Sequence, residues 1–231
     1  MKRREFIPSI MALVTLMLTS CAMYHPQLAD IALIDHKGDT RVSASLMGGN
    51  VGATITTGLT NHMAVQLTGN VTGNDQNYFH GAIGFYDSRD HFCIEGYIGL
   101  GNGYAHNSRK PDPTTYSYGR YTIPFVQVNL GWRNLTKAHI DCGVAFKYGR
   151  YYPHIKNYTW GYNPVTDTDE EVVYSYSTTN SVIEPQAFFR IGGETVKFNF
   201  QVGYCYLDDL RRKGVGGYNP FVIASGITLF L

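Results

Sequence analysis

The chain has 231 residues, with 19 Lys and Arg against 18 Asp and Glu and a formal net charge of +1. This balance provides no basic surface field and argues against nucleic acid as a partner. Only 16% of the residues are charged, whereas Gly (25), Tyr (18) and Phe (12) are abundant, a composition that suits curved sheets bordered by aromatic side chains. The length fits one all-β domain that follows a short leader.

The N-terminus begins with the basic cluster MKRRE, which is followed by fifteen mostly apolar residues, 6–20. As a helix, this run is shorter than the ~20 residues needed to cross a bilayer. A charged start, a short apolar middle and small residues before a cleavage site are typical of a secretory signal. We therefore expect residues 1–20 to be a signal peptide, whose removal leaves 16 basic and 17 acidic residues.

The residues Leu18-Thr19-Ser20-Cys21 resemble the bacterial lipoprotein signal. The resemblance implies that the Cys21 thiol receives a diacylglycerol, that the chain is cut before Cys21, and that the new amine is acylated. Several acyl chains hold a protein to a membrane far more strongly than one. The next residue is Ala22 and not the Asp that retains such lipoproteins in the inner membrane, so the outer membrane is expected. The alternative is an ordinary secretory signal with an incidental Cys21.

From residue 38 onward, apolar and polar residues alternate with the period of two that β-strands produce. The clearest run extends over eleven residues, from Val196 to Tyr206. Ten such segments are predicted as strands: about 40–47, 50–59, 63–72, 77–87, 91–102, 120–132, 139–151, 182–192, 195–207 and 218–231. Many of them reach the ~9–11 residues of a tilted transmembrane strand, whereas typical soluble strands have only ~5–6.

Short and long connections alternate along most of this pattern. The short ones are residues 60–62, 88–90, 134–138 and 192–194, and the longer ones are mostly 73–76, 103–119, 152–181 and 208–217. Outer-membrane barrels have short periplasmic turns and longer outer loops, so both ends of the barrel are expected on the periplasmic side. Residues 21–37 would then form a lipidated linker beneath the inner leaflet.

The last strand, which ends in FVIASGITLFL, resembles the C-terminal strand signal used to assemble outer-membrane barrels, although its aromatic Phe230 precedes the final Leu231. Together with the lipoprotein signal, it makes the mature chain similar to small outer-membrane β-barrel proteins of diderm bacteria. The resemblance implies a transmembrane antiparallel up-and-down β-barrel over residues 38–231. Ten strands are expected, and eight are possible if residues 38–59 form one bent strand or a hairpin outside the wall.

Charged residues fall consistently on the strand face opposite the apolar one. A charge on the lipid face near the midplane costs roughly 2–4 kcal/mol for Arg or Lys, so the charged face should line the lumen. The residues predicted there are Glu95, Gln127, Asn129, Asp141, Lys147, Glu184, Arg190, Lys197 and Asn199. A barrel of this size should be plugged or very narrow. The alternative is a lipid-tethered soluble sandwich or lipocalin-like barrel, whose apolar face would point inward.

Cys93, Cys142 and Cys205 lie on non-neighbouring predicted strands, so we expect three unpaired packing residues and no metal site. Neither a metal nor another cofactor is predicted. The acidic cluster at residues 167–171 lacks the spacing of a calcium loop and is interpreted as a solvated loop tip.

Two predicted loops, residues 105–121 and 153–180, are rich in tyrosine. Tyr and Trp give a large, rigid contact area with a hydrogen-bonding tip, which binding surfaces favour. The candidate surface-binding residues are Tyr116, Tyr118, Tyr158, Trp160 and Tyr162. The alternative is an aromatic belt at the membrane interface combined with loop packing.

These features lead to three functional hypotheses. The first is a structural scaffold that binds an unidentified surface ligand through its tyrosine-rich loops, with the lipids of the outer membrane, including lipopolysaccharide, and the lipid on Cys21 as partners. The second is a narrow channel for small polar solutes. The third is a hydrolase or acyltransferase at the outer rim, with candidate residues His106, Asp112, His154 and Asp167.

Overall fold

The computed structural model describes residues 22–24, 26–72, 76–108, 115–163, 167–207, 217–218 and 220–231. The predicted signal peptide, residues 1–20, and the predicted lipidation site Cys21 lie outside the described residues. Over the described ranges, no helix is long and apolar enough to cross a membrane.

The described residues form fourteen β-strands, numbered in chain order. They are β1 (Ala22–Tyr24), β2 (Thr40–Met47), β3 (Asn50–Gly58), β4 (Met63–Thr72), β5 (Gln76–Arg89), β6 (Phe92–Ser108), β7 (Thr115–Trp132), β8 (Asp141–Asn163), β9 (Thr168–Tyr176), β10 (Asn180–Gly192), β11 (Val196–Tyr204), β12 (Tyr206–Leu207), β13 (Gly217–Tyr218) and β14 (Phe221–Phe230).

The sheet closes on itself as an antiparallel barrel whose wall has ten strand positions, which confirms the predicted fold and strand number. Strands β2 to β8 pair in sequence, β14 pairs with β2, and β8 pairs with β10 to complete the wall. Strands β9 and β10 both pair with β8 and together occupy one of these positions. Strands β11 and β12 both pair with β10 and together occupy the next. Because the barrel is closed, each strand of the wall has a hydrogen-bonded neighbour on both sides, as a strand within lipid requires.

The connections define two different ends of the barrel. The short-turn end carries the turns at residues 59–62, 90–91, 133–140 and 193–195, whereas the long-loop end carries the remaining connections. One long-loop connection is nevertheless a two-residue hairpin, since Met47 pairs with Asn50 across Gly48 and Gly49. These glycines have φ angles of 46° and 93°, and positive φ at both central residues is characteristic of the tight turns that match the twist of a hairpin.

The outward face of the wall is apolar over most of its height, and we call this surface the apolar band. Its exposed side chains include Leu46, Val51, Leu67, Ile83, Phe85, Ile98, Val126, Phe146, Phe189, Phe198, Phe200 and Ile223. Phe85 and Phe198 are each 68% exposed. Soluble proteins rarely expose so continuous an apolar surface, so acyl chains must cover the band. This orientation contradicts the alternative of a tethered soluble barrel with an apolar inward face.

Residues 26–34 lie inside the barrel. Their side chains are buried, and Ala29, Leu33 and Ile34 have no exposed surface. For these residues, the expectation of a linker beneath the barrel is wrong. The physical reason is that this stretch is mostly apolar, with backbone groups that the polar inward face of the wall can hydrogen-bond.

The predicted loops at residues 103–119 and 152–181 are largely strand. Strand β6 continues to Ser108, β7 begins at Thr115, and β8 runs for 23 residues to Asn163 before returning as β9. These four strands continue the wall beyond the apolar band, and we call this part the sheet extension. Paired tyrosines stabilise strands in this region, because aromatic side chains on facing strands contact one another.

Replacing Phe200 of the apolar band with lysine should lower the free energy of unfolding of the bilayer-inserted protein by about 2–4 kcal/mol, because the ammonium group enters hydrocarbon. The measurement is urea titration of the protein folded in lipid vesicles. The matched variant Trp160→Lys changes an outward side chain of the sheet extension and should cost less than about 1 kcal/mol. Equal losses in the two variants would contradict the assignment of the band.

Candidate functional site

The structure places the predicted lumen residues on the inward face of the wall. Eight of the nine are buried, with exposures of 0–2%, and Asn199 is half-buried. The buried eight are Glu95, Gln127, Asn129, Asp141, Lys147, Glu184, Arg190 and Lys197. Alternation along the strands brings them to the interior, where many of them contact residues 26–35, which we call the lumen segment.

The upper part of the lumen segment is bound through its backbone by β10 and β11. The Gln27 N–H donates to Glu184 Oε1 at 3.1 Å, and Gln186 Nε2 donates to the Gln27 carbonyl at 2.7 Å. The Ala29 N–H donates to Gln186 Oε1 at 3.0 Å, while Gln201 Nε2 donates to the Ala29 carbonyl at 2.7 Å. The wall therefore recognises an extended chain much as a neighbouring strand would.

Asp30 lies at the centre of the contact between the lumen segment and the barrel wall. Its carbonyl oxygen accepts hydrogen bonds from three wall amides, those of Gln66 (3.2 Å), Gln127 (3.0 Å) and Asn129 (3.1 Å). Its carboxylate accepts a hydrogen bond from the Thr56 hydroxyl at 2.7 Å. Without Asp30, these buried polar groups would lose a partner, and an unsatisfied buried group costs about 1–3 kcal/mol.

The lower part of the segment is held by charged residues. Arg190 donates to the carbonyls of Ile31 and Ala32. The Ile34 N–H donates to Glu95 Oε1 at 2.8 Å, and the second oxygen of Glu95 accepts from Asn129 Nδ2, also at 2.8 Å. Arg190 and Glu95 thus bind backbone groups in the lower part of the segment, as Glu184 does in the upper part.

Ion pairs close the short-turn end of the lumen. Arg133 Nη2 lies 2.8 Å from Asp35 Oδ1, and this hydrogen bond holds the pKa of Asp35 below its usual value. Lys197 Nζ lies 2.6 Å from Asp141 Oδ1 inside the wall, so two of the predicted lumen residues pair with each other. The chain is therefore fixed where the lumen segment turns into β2.

Aromatic side chains fill the upper lumen. The Tyr24 ring packs edge-on against Tyr121 and Tyr151, with centroid distances of 5.9 and 5.4 Å, and its hydroxyl donates to Glu184 at 2.9 Å. Lys147 and Glu184, two further predicted lumen residues, are 3.7 Å apart. The interior thus has an aromatic upper half and a more polar lower half, both in contact with the N-terminal part of the chain.

The glycine-rich stretch of β6 makes room for these aromatic residues. A Cβ atom at Gly101 would collide with the Tyr78 ring, and one at Gly103 with the Tyr121 ring. The glycines are therefore needed for packing, and they provide the close approach that ring-filled barrels require.

The surface tyrosines come together on the outward face of the sheet extension. The rings of Tyr116 and Tyr158, which are cross-strand partners, are stacked with centroids 4.6 Å apart and planes 3° apart. Tyr118 stacks on Tyr158 at 5.2 Å, and their hydroxyls are 2.8 Å apart. Trp160 follows on β8 and is 52% exposed, whereas the side chain of Tyr162 lies outside the described part of the structure.

Hydrogen bonds fix the tyrosine stack. The Tyr116 hydroxyl donates to Glu171 Oε1 at 2.8 Å, which raises the pKa of Tyr116. The hydrogen bond with Tyr118 raises the pKa of Tyr158 to about 12. Both hydroxyls therefore remain protonated at neutral pH and can donate or accept hydrogen bonds.

The rim histidines lie apart on the same outward face. His106 of β6 is opposite Tyr118, and His154 of β8 is opposite Arg120. Asp167 lies in the β8–β9 hairpin with a φ angle of 53°, and Asp112 lies outside the described residues. In these pairings His106 has a tyrosine and His154 an arginine as its cross-strand partner.

The wall amides Gln66, Gln186 and Gln201 and the segment residues that they bind were not predicted from the sequence. Each of these glutamines stands at an inward position of a strand. That register was visible in the alternation, but the position of their partners was not. Among the described residues, no group of three or more His, Cys, Asp or Glu side chains could hold a metal ion.

No family model and no curated protein matches the chain. Among solved structures it is similar to the KdgM porin, with 14% identity and a TM-score of 0.38, over 83% of this chain and 98% of the porin. The same values hold for that porin in complex with disordered oligogalacturonate. The N-terminal β-barrel domain of Pseudomonas aeruginosa OprF matches with 10% identity and a TM-score of 0.28, over 84% and 98%. Likeness this distant carries no argument about function.

The position of the lumen segment can be tested by a disulfide. Leu33 and Cys93 belong to one buried cluster, and Cys93 Sγ lies 3.3 Å from the Ile34 carbonyl oxygen. Leu33→Cys should therefore cross-link to the native Cys93 and give faster migration on a denaturing gel without reductant. The double variant Leu33→Cys/Cys93→Ser is the control. Migration unchanged by reductant would contradict a segment inside the barrel.

Proposed function

We propose that this chain is an outer-membrane lipoprotein of a diderm bacterium, acylated at Cys21, whose barrel spans the membrane with its long-loop end outside the cell. The apolar band supports a membrane location, because it presents hydrocarbon-compatible side chains around the wall. The lipoprotein-like sequence Leu18-Thr19-Ser20-Cys21 supports acylation and export to the outer membrane.

Its principal function in this proposal is to present the sheet extension as a binding surface. The observation that carries the proposal is the stack of Tyr116, Tyr118 and Tyr158 on strands that continue beyond the apolar band. Membrane insertion does not require these strands, since the band alone covers the hydrocarbon. A hydrogen-bonded sheet gives the aromatic side chains fixed positions, which reduces the entropy that binding would otherwise cost.

The chemistry of this surface suits ligands with both flat apolar faces and hydroxyl groups. The exposed indole of Trp160 can stack on a sugar ring or an aromatic group, and the tyrosine hydroxyls can exchange hydrogen bonds with the same ligand. Sugars on neighbouring surfaces and exposed protein segments both have this combination.

The surface can be tested with the triple variant Tyr116→Thr/Tyr158→Thr/Trp160→Thr, since threonine retains strand propensity. Cells that display the full chain are applied to surfaces coated with mucin or with plant polysaccharides. We expect about tenfold weaker retention of the variant, equivalent to a loss of about 1.4 kcal/mol.

The matched control is Tyr174→Thr, which removes a 59% exposed tyrosine from the opposite face of the same sheet. It should retain binding. If the triple variant binds as well as the unmodified chain on every coated surface that retains cells, or if no surface retains cells through the chain, the binding proposal is wrong.

A second candidate function is a narrow channel that opens when the lumen segment moves. It is favoured by the polar inward side chains that contact the segment, notably Gln127, Asn129 and Arg190, which would line a polar passage in its absence. In the closed form the segment occupies the interior, so conduction requires displacement of residues 26–35.

Planar-bilayer recording separates the two functions when it is applied to the Leu33→Cys variant. A channel that opens by displacement should conduct only after the disulfide to Cys93 is reduced. A permanently closed scaffold should show no conductance in either state. Steady conductance in the oxidised state would contradict closure by the segment.

A further inference from the structure

The lumen segment runs in one direction through the barrel. On β10, Gln27 contacts Glu184 and Gln186, whereas Ile31 and Ala32 contact Arg190. Strand β10 runs toward the short-turn end, where it finishes at Gly192. Higher residue numbers in the segment therefore correspond to positions nearer the short-turn end.

The lower end of this path is firmly attached. Asp35 pairs with Arg133, which follows β7 at the short-turn end, and the Gly38 N–H donates to the Gly58 carbonyl at 2.8 Å. Strand β2 then begins at Thr40, which exchanges backbone hydrogen bonds with Leu231. The lumen segment must therefore enter the barrel from the opposite end.

The upper end of the path lies at the long-loop end. Strand β1 pairs in parallel with β13, which belongs to the connection that precedes β14. Tyr24 is 1% exposed and packs between Tyr121 and Tyr151, close to where β7 and β8 leave the apolar band. Ala22 is thus on the long-loop side of the buried segment.

We propose that the chain preceding Ala22 leaves the lumen at the long-loop end, so that the barrel displays its own N-terminus, with the acyl groups of Cys21, at the outer surface of the membrane. This inference rests on the outer-membrane location and the acylation proposed above. The sequence predicted that the acyl groups of Cys21 insert into the inner leaflet, whereas this inference places them in the outer leaflet.

The reach of the chain supports an outer anchor. Cys21 and the buried Tyr24 are three Cα-to-Cα steps apart, and an extended chain spans at most about 3.6 Å per step, or roughly 11 Å. An apolar band about 25 Å tall lies between the two membrane surfaces. The acyl groups reach the inner leaflet only if the segment is withdrawn, which breaks its hydrogen bonds to Gln127, Asn129 and Gln186.

The path also constrains assembly. Seams closed by hydrogen-bonded ladders leave no lateral entry, so the segment is either enclosed as the wall closes or threaded along the barrel axis. The segment supplies partners for the inward amides as the wall forms, which lowers the cost of burying them.

The test places an epitope between Ala22 and Met23 of the full chain and probes cells with an antibody. The same epitope between Lys137 and Ala138 serves as the control for the short-turn end, and one between Asp167 and Thr168 as the control for the long-loop end. We expect the first and third epitopes to be detected on intact cells, and the second only after the outer membrane is permeabilised. Heat-modifiable gel migration verifies that each variant folds.

Detection of the Ala22 epitope only after permeabilisation, together with the Lys137 epitope, would overturn the inference.

Labelling with palmitate tests acylation separately, because the Cys21→Ser variant should lose the label. If the Ala22 epitope is accessible on intact cells but no palmitate is incorporated, the result supports the path of the chain and contradicts acylation of Cys21. A label with an inaccessible epitope supports acylation and overturns the path. If the Lys137 epitope is accessible on intact cells and the Asp167 epitope is not, the barrel has the opposite orientation, which overturns the proposed function.

Discussion

The structure depends on one constraint, which is that polar groups removed from water must have hydrogen-bond partners. The constraint acts on the wall first. Its ladders close from β14 to β2 and from β8 to β10, so the strands within the apolar band have partners on both sides. Closure then determines the interior, because alternation along each strand sends the polar half of its side chains into a narrow lumen.

The lumen segment satisfies the same constraint from within. Barrel interiors of this width have little room for water, so inward amides and charges need partners from the protein itself. Asp30 provides one for three wall amides at once, and the backbone from Gln27 to Ile34 provides others. The lumen segment and the polar wall are therefore complementary, in the same way that a bound peptide is complementary to its receptor.

The sheet extension is governed by different physics. Beyond the apolar band the outward positions of β7 and β8 change from mainly aliphatic side chains, through Arg120, His154 and Lys156, to tyrosine and tryptophan. The pairing of these two strands skips Ile123 and Pro124 and resumes from Thr122 to Thr115. Stacked rings and their hydroxyl hydrogen bonds replace lipid as the environment of that face. One continuous wall thus has a lipid-facing part and a part that stands in water with aromatic side chains at defined positions.

The sequence by itself determined the local features. The period of two along runs such as Val196 to Tyr206 located the strands, and the sorting of Glu95, Lys147 and Arg190 onto one face indicated which side is lined by charge. Both are properties of neighbouring residues, because the pleat of a strand is a local geometry. The tyrosines at positions 116, 118 and 158 were recognisable as a group, although their stacking depends on a register that no single segment encodes.

Only the tertiary structure decided where residues 26–34 lie and how far the strands continue. In the sequence, these residues are a short stretch without clear periodicity and could belong to any linker. Their position follows from contacts with β3, β4, β7, β10 and β11, which are 26 to 172 positions away along the chain. Likewise, β8 and β9 are stable as strands because each has a paired neighbour. Such contacts arise only when the wall closes, so the contents of the lumen could not be read from any local pattern.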